Sequence, residues 1–101
     1  MRIIKKLADQ IADEVSGMED YAKCALDMRY SDPELSKAYY EMAKMEYSHA
    51  QKLHDFVTKK IAEAEKLDIK PSEQMLAKWD ETHKKLMSKT ATAKAYLDMY
   101  K

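Results

Sequence analysis

Apolar residues recur every three or four positions along most of the chain, which is the spacing that places them on one face of an α-helix. At the start of the chain this pattern predicts a helix from about Ile3 to Arg29. Its apolar face consists of Ile4, Ala8, Ile11, Val15, Met18, Ala22, Ala25 and Leu26. Glu19 lies at the edge of that face, so this helix offers one carboxylate beside the surface that it should bury.

The segment Ser31–Glu34 carries the signals of a helix start. Ser31 or Asp32 can cap a second helix, and Pro33 suits its first turn. No breaker follows before the segment Asp68–Pro71, so this helix could extend over about 35 residues, or about 50 Å. A turn this short predicts that the first two helices form an antiparallel hairpin.

The second helix also places polar groups on its apolar side. The residues that it is predicted to bury are Leu35, Tyr39, Met42, Leu53, Val57, Ala64 and Leu67. On a helical projection, Glu46 and His49 share about 60° of arc with apolar neighbours and should point toward the core. An ionised carboxylate left there without a partner would cost several kcal/mol, so a neutralising group should accompany it. A divalent metal is one such group, since Glu and His at i, i+3 can reach one ion; a structural polar pair with a Lys or Tyr of another helix is the alternative.

A third helix is predicted to start near Pro71–Glu73, with Ser72 as a cap, and to run close to the C-terminus. Its apolar face follows a heptad series: Leu76, Trp79, His83, Leu86, Thr90, Ala93, Leu97 and Tyr100. Asp80 lies three residues before His83 and to its side, which makes the two a second, weaker candidate pair of metal ligands. A histidine satisfied within the core is the alternative for His83.

Composition narrows the class of protein. The 101 residues suffice for one domain, spanning residues 1–101, and one Gly and two Pro among 36% charged residues favour long helices. Because 18 Lys and Arg balance 18 Asp and Glu, no net charge draws the chain toward nucleic acid or an anionic membrane. The single cysteine, Cys24, suits a reducing compartment, and no apolar run has the length of a signal peptide or a membrane span. The expectation is an all-α cytoplasmic protein.

Taken together, the polar groups near the apolar faces are typical of a metal site. One carboxylate from the first helix, Glu19, and Glu46-x-x-His49 from the second are half of a ferritin-like di-iron site. A symmetric dimer of hairpins would supply four Glu and two His and would close a four-helix bundle. Carboxylates and imidazoles suit iron, and manganese or zinc are possible occupants.

The arrangement of these motifs resembles the encapsulated-ferritin group of the ferritin-like superfamily. The matching residues are Asp32-Pro33-Glu34-Leu35 at the start of the second helix, Glu46-x-x-His49-Ala50 within it, and Glu19 followed closely by Tyr21. The resemblance covers about residues 10–57.

This resemblance implies a half-site in each chain, with Glu19, Glu46 and His49 as both metal ligands and catalytic residues. It implies a di-iron centre at a dimer interface, ferroxidase activity, and a homodimer or a larger even-numbered assembly. Members of this group usually end in a tail that docks into a protein nanocompartment, whereas this chain ends at Tyr100-Lys101, so loading into a compartment is not expected. The long third helix could instead cover the site or, through His83, complete it within one chain.

A different class of function stays open beside this one. The chain could be a non-enzymatic helical interaction module in which a buried Glu46–His49 pair fixes the register of the helices. Hydrolase and transferase chemistry have no support, since the chain has neither a nucleophile elbow nor a glycine-rich phosphate loop. DNA binding has none either, because the lysines are interleaved with acids.

Overall fold

A computed structural model describes residues 2–67 and 73–100 and contains no strand in those ranges. Three helices make up this part of the chain: α1 (Arg2–Met28), α2 (Pro33–Lys66) and α3 (Glu73–Tyr100). They form a rod of 56 × 18 × 18 Å. The all-α prediction is confirmed, and the predicted helix bounds agree with the observed ones to within a few residues. None of the described helices combines the length and the apolar character needed to cross a membrane.

The turn between α1 and α2 is fixed by hydrogen bonds of polar side chains. Of the two candidate caps, Asp32 takes the position: its carboxylate accepts the backbone N–H of Leu35 at 3.1 Å. The buried Ser36 hydroxyl donates to the Ala25 carbonyl at the end of α1, which ties the two helices together. This geometry produces the antiparallel hairpin that the short turn predicted.

The helix α1 provides most of the core. Its predicted apolar face is buried, with Leu7 as an addition and with Leu26 only half-buried. It packs extensively on α2 and less on α3, whereas α2 and α3 touch each other at few points. The hairpin is therefore the structural base onto which α3 is added.

The buried face of α2 differs from the predicted one. Its buried residues recur every seven positions and are mostly small: Ser36, Ala43, Ala50, Val57 and Ala64. The large apolar residues Leu35, Met42 and Leu67 are 39%, 38% and 70% exposed, so their predicted burial was wrong. Small side chains let the backbones of α1 and α2 approach closely, and the line of closest approach therefore follows them, while larger side chains move to the sides.

The helix α3 is attached by a shallow face. Of its predicted apolar series, Leu86 and Ala93 are buried, and Leu76 is 37% exposed. The half-buried members are Trp79, His83, Thr90, Leu97 and Tyr100. The predicted cap Ser72 lies outside the described residues.

Two sides of α2 therefore have different surroundings. The covered flank consists of Tyr40, Tyr47 and His54, which contact Tyr100, Lys94 and His83 of α3. The open flank consists of Leu35, Met42, His49 and Phe56, all of which are exposed. Both sets follow a seven-residue spacing, so each forms a line along the helix.

Candidate metal centre

Three side chains converge beside the open flank. Donor atoms of Glu14, Glu46 and His49 all lie within 4.8 Å of one another. Among the described residues, this is the group of three acidic, histidine or cysteine side chains whose donor atoms are close enough to bind one metal ion. The His49 Nδ1 lies 3.4 Å from Glu14 Oε2 and 4.0 Å from Glu46 Oε1. Two carboxylates and one imidazole form a donor set that suits iron, manganese or zinc, so the residues present fit such an ion.

The antiparallel register of the hairpin brings Glu14 and Glu46 together. Glu14 lies 16 residues before Tyr30 in the turn, and Glu46 lies 16 residues after it. One heptad closer to the turn, Tyr21 and Tyr39 are also equidistant from Tyr30, and their rings stack with centroids 6.0 Å apart. The sequence therefore contained a signal for Glu14: residues at equal distances from the turn face each other in an antiparallel pair.

Gly17 makes room for the Glu46 side chain. A Cβ atom added at Gly17 would lie 3.1 Å from Glu46 Oε2, closer than an ordinary van der Waals contact. A glycine within a helix costs roughly 0.5–1 kcal/mol relative to alanine. Here the glycine lets the Glu46 carboxylate lie against α1, one turn along from Glu14.

The Glu14 carboxyl group affects the protonation of Glu46. A hydrogen bond with the Glu14 carboxyl raises the pKa of Glu46; desolvation and the charge of Glu14 raise it further, while His49 opposes them. Such a hydrogen bond requires a proton on one of the two acids. Above that pKa two negative charges share the site, and a bound cation would offset their repulsion.

Glu19 lies elsewhere. Five residues separate it from Glu14, which corresponds to about 140° around a helix, so the two side chains point in different directions. The Glu19 carboxylate pairs with Lys23 Nζ at 3.2 Å, and that ammonium lies 5.6 Å from the ring centroid of Tyr96 on α3. The structure thus brings together Glu46 and His49 from the predicted set and places Glu14, rather than Glu19, beside them.

The weaker candidates, Asp80 and His83, point to different partners. The exposed Asp80 carboxylate pairs with Lys84 at 3.3 Å. His83 instead faces α2, where its Nε2 lies 3.0 Å from Nε2 of His54, a residue that the sequence pattern placed beside the apolar face and did not mark as a ligand. No group of three donors forms around His83 within the described ranges.

Burial at the site is partial. The side chains of Glu14, Glu46 and His49 are 28%, 25% and 54% exposed, so the expectation that Glu46 and His49 point into the core of a single chain was wrong. The reason is the shift of the buried line on α2 to its small residues. The cost of burying a charge therefore does not argue for a metal here; the close approach of two carboxylates does.

Comparisons of this chain with protein-family models, with curated proteins and with solved structures found no match.

Proposed function

We propose that Glu14, Glu46 and His49 form half of a metal site, that two chains complete it, and that it binds and oxidises ferrous iron. The observation that carries the proposal is the convergence of three donors within 4.8 Å, with the pKa of Glu46 raised by its neighbour Glu14. A bound cation would offset the electrostatic repulsion between the two neighbouring carboxylates. Glu14 takes the position that the resemblance to encapsulated ferritins gave to Glu19.

The open flank supports completion by a second chain. Apart from His49 its members are large and apolar, and Met42 and Phe56 are 38% and 50% exposed. A line of exposed apolar side chains beside a polar cluster is typical of an interface. A second hairpin related by a two-fold axis would cover this line and would add the same three donors, giving four Glu and two His in a four-helix bundle.

Each side chain has a defined part in this scheme. The carboxylates of Glu14 and Glu46 supply negative charge to the cation, and His49 adds a nitrogen ligand. Ferrous iron is the substrate. Two Fe(II) ions lose one electron each, and O₂ takes both electrons and two protons and leaves as hydrogen peroxide.

Metal content and oxygen consumption test this proposal. Protein purified without chelator should hold about one iron, manganese or zinc ion per chain, since a two-metal site is shared by two chains. Addition of Fe(II) in air should then consume O₂. Glu14→Gln and Glu46→Gln should abolish both metal binding and oxygen consumption. Glu19 lies on the side of α1 that faces α3, so Glu19→Gln should retain both. Loss in Glu19→Gln with retention in Glu14→Gln would overturn the assignment of Glu14.

The alternative is a non-enzymatic helical interaction module, for which the open flank is also the supporting observation. In that case the protein would assemble through Met42 and Phe56 and would be equally stable with and without EDTA. A purely structural zinc site would raise stability but would leave Fe(II)-dependent oxygen consumption at the level of buffer.

A further inference from the structure

A second cluster of histidines lies on the other side of α2, where that helix meets α3. The Nε2 atoms of His54 and His83 are 3.0 Å apart, and the ring of Trp79 stacks on His83 with centroids 5.4 Å apart. Both histidines line a pocket of about 80 Å³ whose other walls are mostly apolar, among them Ile11, Val15 and Leu86. The pair is partly buried and joins two helices that otherwise touch at few points.

The hydrogen bonding of these two rings is incomplete. A neutral imidazole has one N–H and one lone pair, so a contact between two Nε2 atoms needs one ring to donate and the other to accept. The other ring nitrogen of His54, Nδ1, is buried and has no hydrogen-bond partner in the described part of the chain. A carboxylate oxygen, Asp55 Oδ1, lies 3.8 Å from it, just beyond hydrogen-bond distance.

This arrangement matches that of metal-binding histidines. Such a histidine usually carries its proton on the nitrogen that faces a carboxylate and presents the lone pair of the other nitrogen to the ion. His54 has Asp55 near Nδ1 and His83 in front of Nε2. Two nitrogens bound to one ion at about 2.0–2.1 Å are separated by about 2.9–3.4 Å when they are neighbouring ligands, a range that includes the observed 3.0 Å.

We propose that His54 and His83 bind a divalent cation that prefers imidazole, namely Zn²⁺, Cu²⁺ or Ni²⁺, at a site separate from Glu14, Glu46 and His49. Solvent water supplies the remaining ligands, since the pair is only partly buried. Asp55 is a positioning residue: its Oδ1, which accepts a hydrogen bond from Gln51 Nε2 at 3.4 Å, lies 3.8 Å from Nδ1 of His54 and through its charge favours a proton on that nitrogen. The bound ion links α2 to α3 and stabilises the attachment of the third helix.

Calorimetric titration with Ni²⁺ and Zn²⁺ tests this site in the full chain. The experiment uses a Glu46→Gln background so that the carboxylate site does not contribute. His54→Gln and His83→Gln, each added to it, should weaken binding at least about tenfold, because a single imidazole loses the chelate. Met99→Gln, a change at a residue of α3 that is 62% exposed and belongs to neither site, is the control and should leave the affinity unchanged. Equal affinity in the His83→Gln variant, or equal loss in the control, would overturn the proposal.

Two further measurements do not depend on the folding of the His54 and His83 variants. In the Glu46→Gln protein, the Cu²⁺ electron paramagnetic resonance spectrum should show coupling to two imidazole nitrogens; coupling to fewer would mean that the pair is only hydrogen-bonded. Asp55→Asn should weaken Ni²⁺ binding about tenfold, the usual effect of removing an outer partner of a histidine ligand. Asp80→Asn, an acid paired with Lys84, is its control and should have no effect.

Discussion

The two flanks of α2 belong to the same helix and carry histidines five residues apart, yet they have opposite surroundings. On the covered flank, His54 is 34% exposed and contacts His83 of α3. On the open flank, His49 is 54% exposed and contacts Glu14 of α1. The comparison shows that α3 covers the flank that carries tyrosines and leaves open the flank that carries Met42 and Phe56.

This difference has a physical cause. The covered flank meets α3 through side chains that have both an apolar body and a polar end, such as Tyr40, Tyr47 and His54. Such residues suit a shallow contact with water at its edge. The exposed side chains of Leu35, Met42 and Phe56 have no polar end, and their burial is favourable only against another apolar surface. We therefore expect substitutions on the open flank to have the largest effect on self-association.

The largest effect should come from a charge placed on the open flank. Met42→Lys should weaken self-association at least about 100-fold, because an ammonium would be buried without a partner between two chains. Sedimentation velocity over a range of protein concentrations measures this effect. Met99→Lys is the control, since Met99 is exposed to 62% on α3 and should tolerate the charge. A monomer in the unmodified protein, with or without iron, would contradict the role of the open flank.

A second effect, smaller than the one expected for Met42→Lys, concerns the charges of Glu14 and Glu46. The pKa of Glu46 is raised, so Glu46 stabilises the fold below its unfolded value of 4.5 and that stability is lost as the pH rises through the folded pKa. Glu46→Gln should abolish this loss and make the metal-free protein more stable than the unmodified one at pH 7. Urea unfolding in EDTA at pH 4 and pH 7 measures the difference.

The same substitution should have the opposite effect when metal is present. An ion at 100 times its dissociation constant should raise the melting temperature of the unmodified protein by roughly 10–20 °C, and that of Glu46→Gln hardly at all. The sign of the stability change would thus reverse between the metal-free and the metal-loaded protein. A substitution that destabilised both forms equally would indicate packing and not metal binding.

Side-chain size decided which buried helix faces could be predicted from the sequence. The face of α1 was predicted because its large and small apolar residues lie on one line. In α2 they lie on different lines, and a pattern search that favours large residues selects Met42 over Ala43. Glu46 and His49 were identified as a pair, but their exposure was not, because it depends on how closely α1 and α2 approach.

Predicting the remaining site residues required the register of the hairpin and the side on which α3 packs. Glu14 follows from the antiparallel register once Asp32 is known to cap α2, so it was predictable in principle from the turn. The contact of His54 with His83 was not, because it depends on which side of the hairpin α3 packs, and nothing in the periodicity of α3 selects a side.

A third prediction concerns the fit of Glu46 against α1. Gly17→Ala should gain about 1 kcal/mol of helix stability and lose part of it to the contact of the new Cβ with Glu46 Oε2, now 3.1 Å away. Iron affinity should fall, because Glu46 is pushed away from Glu14. In a Glu46→Ala background the contact is absent, and Gly17→Ala should give its full gain in urea unfolding. The same gain in both backgrounds would show that the glycine has no role at the site.

The smallest effect should come from substitution of Glu19. Comparing it with Glu14 tests which face of α1 supplies a metal ligand. The Glu19 carboxylate forms an ion pair with the exposed Lys23, a type of contact that contributes little to stability. Glu19→Gln should therefore change the melting temperature by less than about 2 °C and leave the iron content unchanged. Glu14→Gln, the same change of side chain on the other face of α1, should remove the iron. If both substitutions left the iron in place, neither face of α1 would supply a ligand, and the metal would have to be held by α2 and a partner chain alone.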